Sequence, residues 1–362
     1  MNEKLFFAFL RNALWGTDER LPTALSERQA RSLLRAAERQ AVYGLLAQAL
    51  LQNDIRLPQP LLFEVVGLCS KIEQGNRKVN RGVRLLAELF RQQGVDYVIV
   101  KGQPVAACYA NPLLRQSGDV DYYCDAANFE KSQQAVFRAW GIRAEAGGSD
   151  HHVHYDFQGV VFEGHFALAI FFSQRAQVRW QHVLDADKGM LVMIDGIAVK
   201  TLSPTLHVFY VFMHLYGHLL GLGIGLRQFC DMAVMLRLCR DKIDMLQLQG
   251  HLRMFGMERA YRACGSILAD CLGLSVHDLG CELTDTDRRY GAKILDVVFC
   301  RGNMGHYNKR AGFRGWRHNL EATAIKLSHF IKFFPLAPGY SCHWLWHEFA
   351  RQSILFAGRE KH

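Results

Sequence analysis

A chain of 362 residues, half of them apolar and 21% charged, carries enough apolar mass for a well-buried core and for two or three domains. That composition excludes a disordered or fibrous protein. The formal charge of +9 leaves the partner class open, because a basic surface attracts nucleoside triphosphates, nucleic acid and acidic lipid alike.

The first stretch, "MNEKLFFAFLRNALWG", has too short an apolar run and no small-residue cleavage site for a signal peptide. Ten cysteines are scattered with no C-x-x-C pair, which suits reduced, buried thiols and predicts a cytoplasmic protein. Residues 1–93 read as a helical N-terminal module. In "LSERQARSLLRAAERQ", Ser26 and Gln29 stand at capping-box spacing ahead of apolar residues at helical intervals, and a longer helix over 60–93 closes on Gly94.

Residues 94–202 change character. "VDYVIVKG" is a β-branched run that predicts a buried strand, followed by a short helix through "PVAACYA" and a second strand at "DVDYYC". A helix over 126–141 closes on Gly141. "HHVHYDF" and "VVFEGHFAL" read as strands joined at Gln158-Gly159, and Asp195-Gly196 inside "MLVMIDGIAVKTL" is a strong hairpin signal. From 203 to 362 the helical period returns. The uncharged stretch 201–226 is long enough to span a bilayer, but three histidines, a proline and four glycines make it read as a buried helix, and no transmembrane span is expected. The fold class is α+β, with a mixed-sheet core between helical modules.

Chemistry concentrates in "RQSGDVDYYC". Along a strand, Asp119 and Asp121 at i and i+2 share one face, where two carboxylates suit a hard divalent ion; a lone D-x-D is more often a solvated strand end. Its company favours the metal. Lys101-Gly102 ends the preceding strand with a cation beside a residue that lets backbone approach a phosphate, and Arg115 and Ser117 stand just ahead of the acids. Glu163 lies on an otherwise apolar strand, where a shared cation would account for its charge.

The series "VIVKGQPVAACYANPLLRQSGDVDYYC", "HHVHYDFQGVVFEGHF" and "LRQFCDMAVML", over about 95–235, resembles the uncharacterised bacterial nucleotidyltransferase family of the DNA polymerase β-like superfamily. The resemblance implies a nucleotidyltransferase-fold core over 94–202, with Asp119, Asp121 and Glu163 as the metal-binding, catalytic acids. It places Gly102 near the triphosphate and Lys101 and Arg115 at basic positions of the motif. Gln103 departs from the Ser or Gly that usually follows the loop glycine. The implied reaction is Mg²⁺-dependent, with Mn²⁺ as the alternative ion: a hydroxyl attacks the α-phosphorus of a nucleoside triphosphate, ATP first among them, and pyrophosphate leaves.

Other signals are weaker. His152, His154 and His165 flank the third acid; His154 is taken as a nucleotide contact. His207, His214 and His218 share one helix face as interior histidines, and Arg227 with Asp231 reads as an i, i+4 ion pair. Residues 301–362 hold ten Lys/Arg against three acids, a composition open to RNA, although no nucleic-acid module is recognisable and RNA is not the favoured acceptor. The rival function is a non-catalytic nucleotide- or nucleic-acid-binding protein on the same fold.

Overall fold

The computed structural model describes residues 2–17, 19–144, 151–171, 173–303 and 316–346. Most of the basic residues singled out after position 301, among them Lys309, Arg310 and Arg351, lie outside that set. The chain forms two compact units, neither contiguous in sequence: one takes residues 1–76, 108–116 and 208–337, the other 77–107, 117–207 and 338–362. The first and last helical stretches, which sequence order places in separate modules, therefore share one unit.

In the helical unit, α1 (Glu3–Trp15), α2 (Glu27–Arg39) and α3 (Tyr43–Gln52) come first. The capping box of α2 forms as its spacing predicts: the Ser26 hydroxyl accepts from the Gln29 backbone N–H, and the Gln29 side chain accepts from the Ser26 N–H. The helix α4 (Gln59–Gln93) begins in this unit and continues into the other. The uncharged stretch 201–226 forms α8 (Pro204–Leu220) and a glycine-bearing turn, with Gly223 at φ +133°, that leads into α9 (Leu226–Leu238). A helix that is apolar all round must be buried, and α8 is buried from Val208 through Met213. No described helix is long and apolar enough to cross a membrane.

The second unit contains a four-stranded mixed sheet in the order β1 (Val98–Val100), β2 (Val120–Tyr123), β4 (Val160–His165), β3 (His152–Phe157). Only β2 and β4 run parallel. The β3–β4 turn places Gln158 and Gly159 at φ +52° and +70°, and the turn joining β5 (Met190–Ile194) to β6 (Ile197–Thr201) places Asp195 and Gly196 at +50° and +81°. Two successive positive φ values give the twist a tight hairpin needs, which is why those dipeptides signalled the turns. Strands β5 and β6 form a separate two-stranded sheet.

One face of the larger sheet is the core. Val79, Val83, Leu86 and Phe90 of α4 and Ala135 and Val136 of α6 (Ala126–Trp140) cover Ile99, Val120, Tyr122, Tyr155, Val160 and Phe162. Each large side chain removed from water here contributes roughly 1.5–3 kcal/mol. Two glycines permit the close approach. A Cβ on Gly82 would stand 3.0 Å from Val160 Cγ1, and one on Gly164 would stand 2.5 Å from the Tyr122 hydroxyl, so a side chain at Gly164 would displace a fully buried ring.

Candidate active site on the second face of the sheet

Because side chains alternate along a strand, the residues between those core positions share the opposite face. The register sets Asp121 beside Glu163, Glu163 beside His154, and His152 beside His165. Asp119 differs from expectation in one respect: β2 starts at Val120, so this acid lies just ahead of the strand rather than within it. Its carboxylate still adjoins Glu163 closely enough to raise the latter's proton affinity.

Asp121 is 3% exposed, and its Oδ1 receives the Lys101 ammonium at 2.7 Å and the His165 Nε2–H at 2.9 Å. Burial alone would raise its pKa; the charge of Lys101 and the bond from His165 outweigh that and hold it well below the usual carboxylate range. Glu163 is pushed the other way, up to about 8, by burial and then by the neighbouring Asp121 and Asp119. The cluster is therefore short of positive charge even with Lys101 in place. One ligand atom each from Asp121, Glu163 and His165 lies within 4.8 Å of the other two. Carboxylate oxygens suit Mg²⁺ and Mn²⁺ alike, and the residues present fit a divalent cation.

Lys101 occupies a turn between β1 and α5 (Gly102–Ala106) at φ +55°, ψ −140°, a conformation at which only glycine is at ease. Its backbone N–H donates to His207 Nε2 at 3.0 Å, which fixes the direction of the turn. Gly102 follows at φ +33°, and Ser117 is half-buried in the segment leading to Asp119. His154 is half-buried on the carboxylate face. His152 is pulled down to about 4 by burial and then by His151 and His165, so its ring is neutral near pH 7.

Arg115 is placed differently from these. It belongs to the helical unit, is 4% exposed, and donates from Nε and Nη2 to the two oxygens of Asp231, both at 2.7 Å; the Tyr109 hydroxyl adds a third bond of 2.7 Å. Asp231 is the carboxylate expected to meet Arg227, whose Nη1 donates to the Gln116 carbonyl. His214 and His218 meet through their ring nitrogens at 3.0 Å.

His165 is the functional candidate that the sequence reading noted as flanking yet left out of the ligand set. The signal was available: in "FEGHF" it stands two residues after Glu163, and the alternation that joined Asp119 to Asp121 joins these two better.

With this geometry in hand, the comparisons are informative to different degrees. The sequence pattern of a family described as an uncharacterised nucleotidyltransferase matches residues 26–273, a span that includes every residue of the cluster. An antigenic nucleotidyltransferase-like protein from Paracoccidioides brasiliensis is similar at 16% identity over 55% of this chain and 93% of that one, with a TM-score of 0.33. Comparison with curated proteins gives no match.

Proposed function

The chain belongs to this uncharacterised nucleotidyltransferase family, and we propose that it moves a nucleoside monophosphate from a triphosphate, ATP first, to an acceptor hydroxyl with release of pyrophosphate. The observation that carries the reading is the charge imbalance of the cluster: three carboxylates, one of them pushed up to about 8, face a single ammonium. Asp119, Asp121 and Glu163 would hold Mg²⁺, or Mn²⁺. The bound ion supplies Lewis-acid charge to triphosphate oxygens and lowers the pKa of a bound hydroxyl.

The protein's own groups have separable tasks. His165 and Lys101 orient Asp121 through its Oδ1. Glu163, whose proton affinity is raised by burial and by its acidic neighbours, is the group suited to take the acceptor proton. Lys101 supplies a cation for the triphosphate once Asp121 has another counter-charge, with Gly102, Ser117 and His154 as further nucleotide contacts. A reducing, cytoplasmic setting suits the ten scattered cysteines of the sequence and belongs to the same reading.

One observation favours the rival, a non-catalytic nucleotide-binding protein: Lys101 already neutralises Asp121, as it would in a site that no longer needs metal. Pyrophosphate release from ATP with Mg²⁺ separates the two. Transfer predicts release that requires Mg²⁺ or Mn²⁺ and is lost in the Asp119→Asn, Asp121→Asn double variant. Nucleotide binding with unchanged metal dependence in that variant sinks the catalytic reading.

A further inference from the structure

Beside the carboxylates, and sharing His165 with them, stands a second donor set. One ring nitrogen each from His151, His152 and His165 lies within 4.8 Å of the other two. Strand pairing holds them there: His152 is the cross-strand partner of His165, and the His151 carbonyl accepts from the Phe166 and Ala167 backbone N–H groups at 3.1 and 3.4 Å. The ring centroids are separated by 4.6 Å for His151–His152 and 5.1 Å for His152–His165.

The tautomer of His165 gives this trio its chemistry. Ionised Asp121 can only accept, so the bond at 2.9 Å requires the hydrogen on His165 Nε2. In the neutral ring Nδ1 then carries a lone pair. That atom is buried, on a side chain only 5% exposed, and no described group satisfies it. Leaving a buried acceptor unsatisfied costs about 1–3 kcal/mol. A histidine that gives one N–H to a carboxylate and turns its other nitrogen inward is oriented as metal-bound histidines usually are, with the carboxylate setting tautomer and basicity.

The geometry points to a tri-imidazole site, His151, His152 and His165 Nδ1 oriented by Asp121, for a borderline divalent transition cation of the Zn²⁺ class. Three imidazole nitrogens suit such an ion far better than Mg²⁺, which takes oxygen donors. Tetrahedral ligation at roughly 2.0–2.1 Å sets nitrogens about 3.4 Å apart, within reach of small ring rotations. The site would place a fixed positive charge behind Asp121.

The test reads the metal, not turnover. Full-length protein stripped with chelator is titrated with Zn²⁺ by calorimetry, and with Co²⁺ by visible absorption, where ligand-field bands report the donor set. One Zn²⁺ per chain is expected, displacing Co²⁺. Both metals should bind at least about tenfold more weakly to His151→Asn and to His152→Asn, and within about twofold of the parent to Glu163→Gln. Both histidines are only half-buried, so circular dichroism should find these variants folded; if one is not, His152→Gln replaces it. Failure to bind Zn²⁺, unchanged affinity in the histidine variants, or an equal loss in Glu163→Gln overturns the site, the last by assigning the ion to the carboxylates. Loss of Mg²⁺-dependent pyrophosphate release would leave these readings untouched.

Discussion

Asp231 in the helical unit and Asp121 in the sheet unit are buried to nearly the same depth, 5% and 3% exposed, yet their surroundings have opposite logic. Asp231 meets one guanidinium in a two-bond fork, with the Tyr109 hydroxyl on the same carboxylate. One negative charge meets one positive charge. Asp121 also meets one cation, but Glu163 and Asp119 crowd the same region, and burial together with these neighbouring charges raises the proton affinity of Glu163. Burial alone therefore does not separate a structural carboxylate from a proposed ligand. The local count of charges does.

The largest expected effect breaks the structural side of that contrast. Arg115→Ala strands a buried carboxylate and should lower the unfolding free energy by about 3–5 kcal/mol in denaturant titrations. Replacing both partners with apolar residues, Arg115→Met with Asp231→Leu, should recover most of it, because the pair's desolvation cost vanishes with its attraction. A small stability loss in Arg115→Ala combined with lost nucleotide binding would instead return this arginine to the phosphate role that its motif position implies.

On the ligand side, Glu163→Gln should weaken Mg²⁺ by at least about 10–100-fold, the range seen even for groups that only support ligands, while the melting temperature holds or rises. The sign of the stability change follows from proton counting. In the metal-free protein Glu163 titrates near 8, above the ordinary carboxylate value of 4.5 it has when unfolded, so between those limits the folded state binds more protons. Stability from this group is fully present below pH 4.5 and is lost as pH rises through about 8. Melts of metal-free protein should show that decline, and Glu163→Gln or saturating Mg²⁺ should flatten it. A decline that survives Glu163→Gln would place the charge imbalance elsewhere.

Much of this was legible in the sequence wherever a feature is local. The capping box at Ser26 and Gln29, the two hairpin dipeptides and the glycine that closes α6 at Gly141, φ +69°, all formed where their residue types predicted. Asp121 fell on the face opposite the core residues Val120 and Tyr122 because strand alternation is local as well. What depends on tertiary pairing was not readable. Arg115 stands four residues before Asp119, and nothing nearby in sequence announces Asp231, 116 residues further on, as its partner. The His152–His165 pairing likewise rests on register across β3 and β4, and the grouping of the first and last helices into one unit has no local signal.

The smallest effect concerns the two cations themselves. Arg115 sits at φ −71°, ψ 118°, ordinary extended backbone, whereas Lys101 sits at φ +55°, ψ −140°. Such outliers cost of order 1–3 kcal/mol and persist where the surroundings insist on them. Here the insistence is visible: the Lys101 N–H is held by His207 Nε2 while the side chain reaches Asp121. Lys101→Gly and Lys101→Met both remove the ammonium, so the difference between them isolates the backbone. The glycine variant regains the strain but gives up about 0.5–1 kcal/mol in unfolded-chain entropy, and should come out more stable than the methionine variant by about 1 kcal/mol. Equal stabilities would mean that the turn stores nothing and Lys101 is positioned as cheaply as Arg115. A clear advantage for glycine would mean that the protein tolerates strain to keep a cation against Asp121, as expected of a site whose carboxylates await another charge.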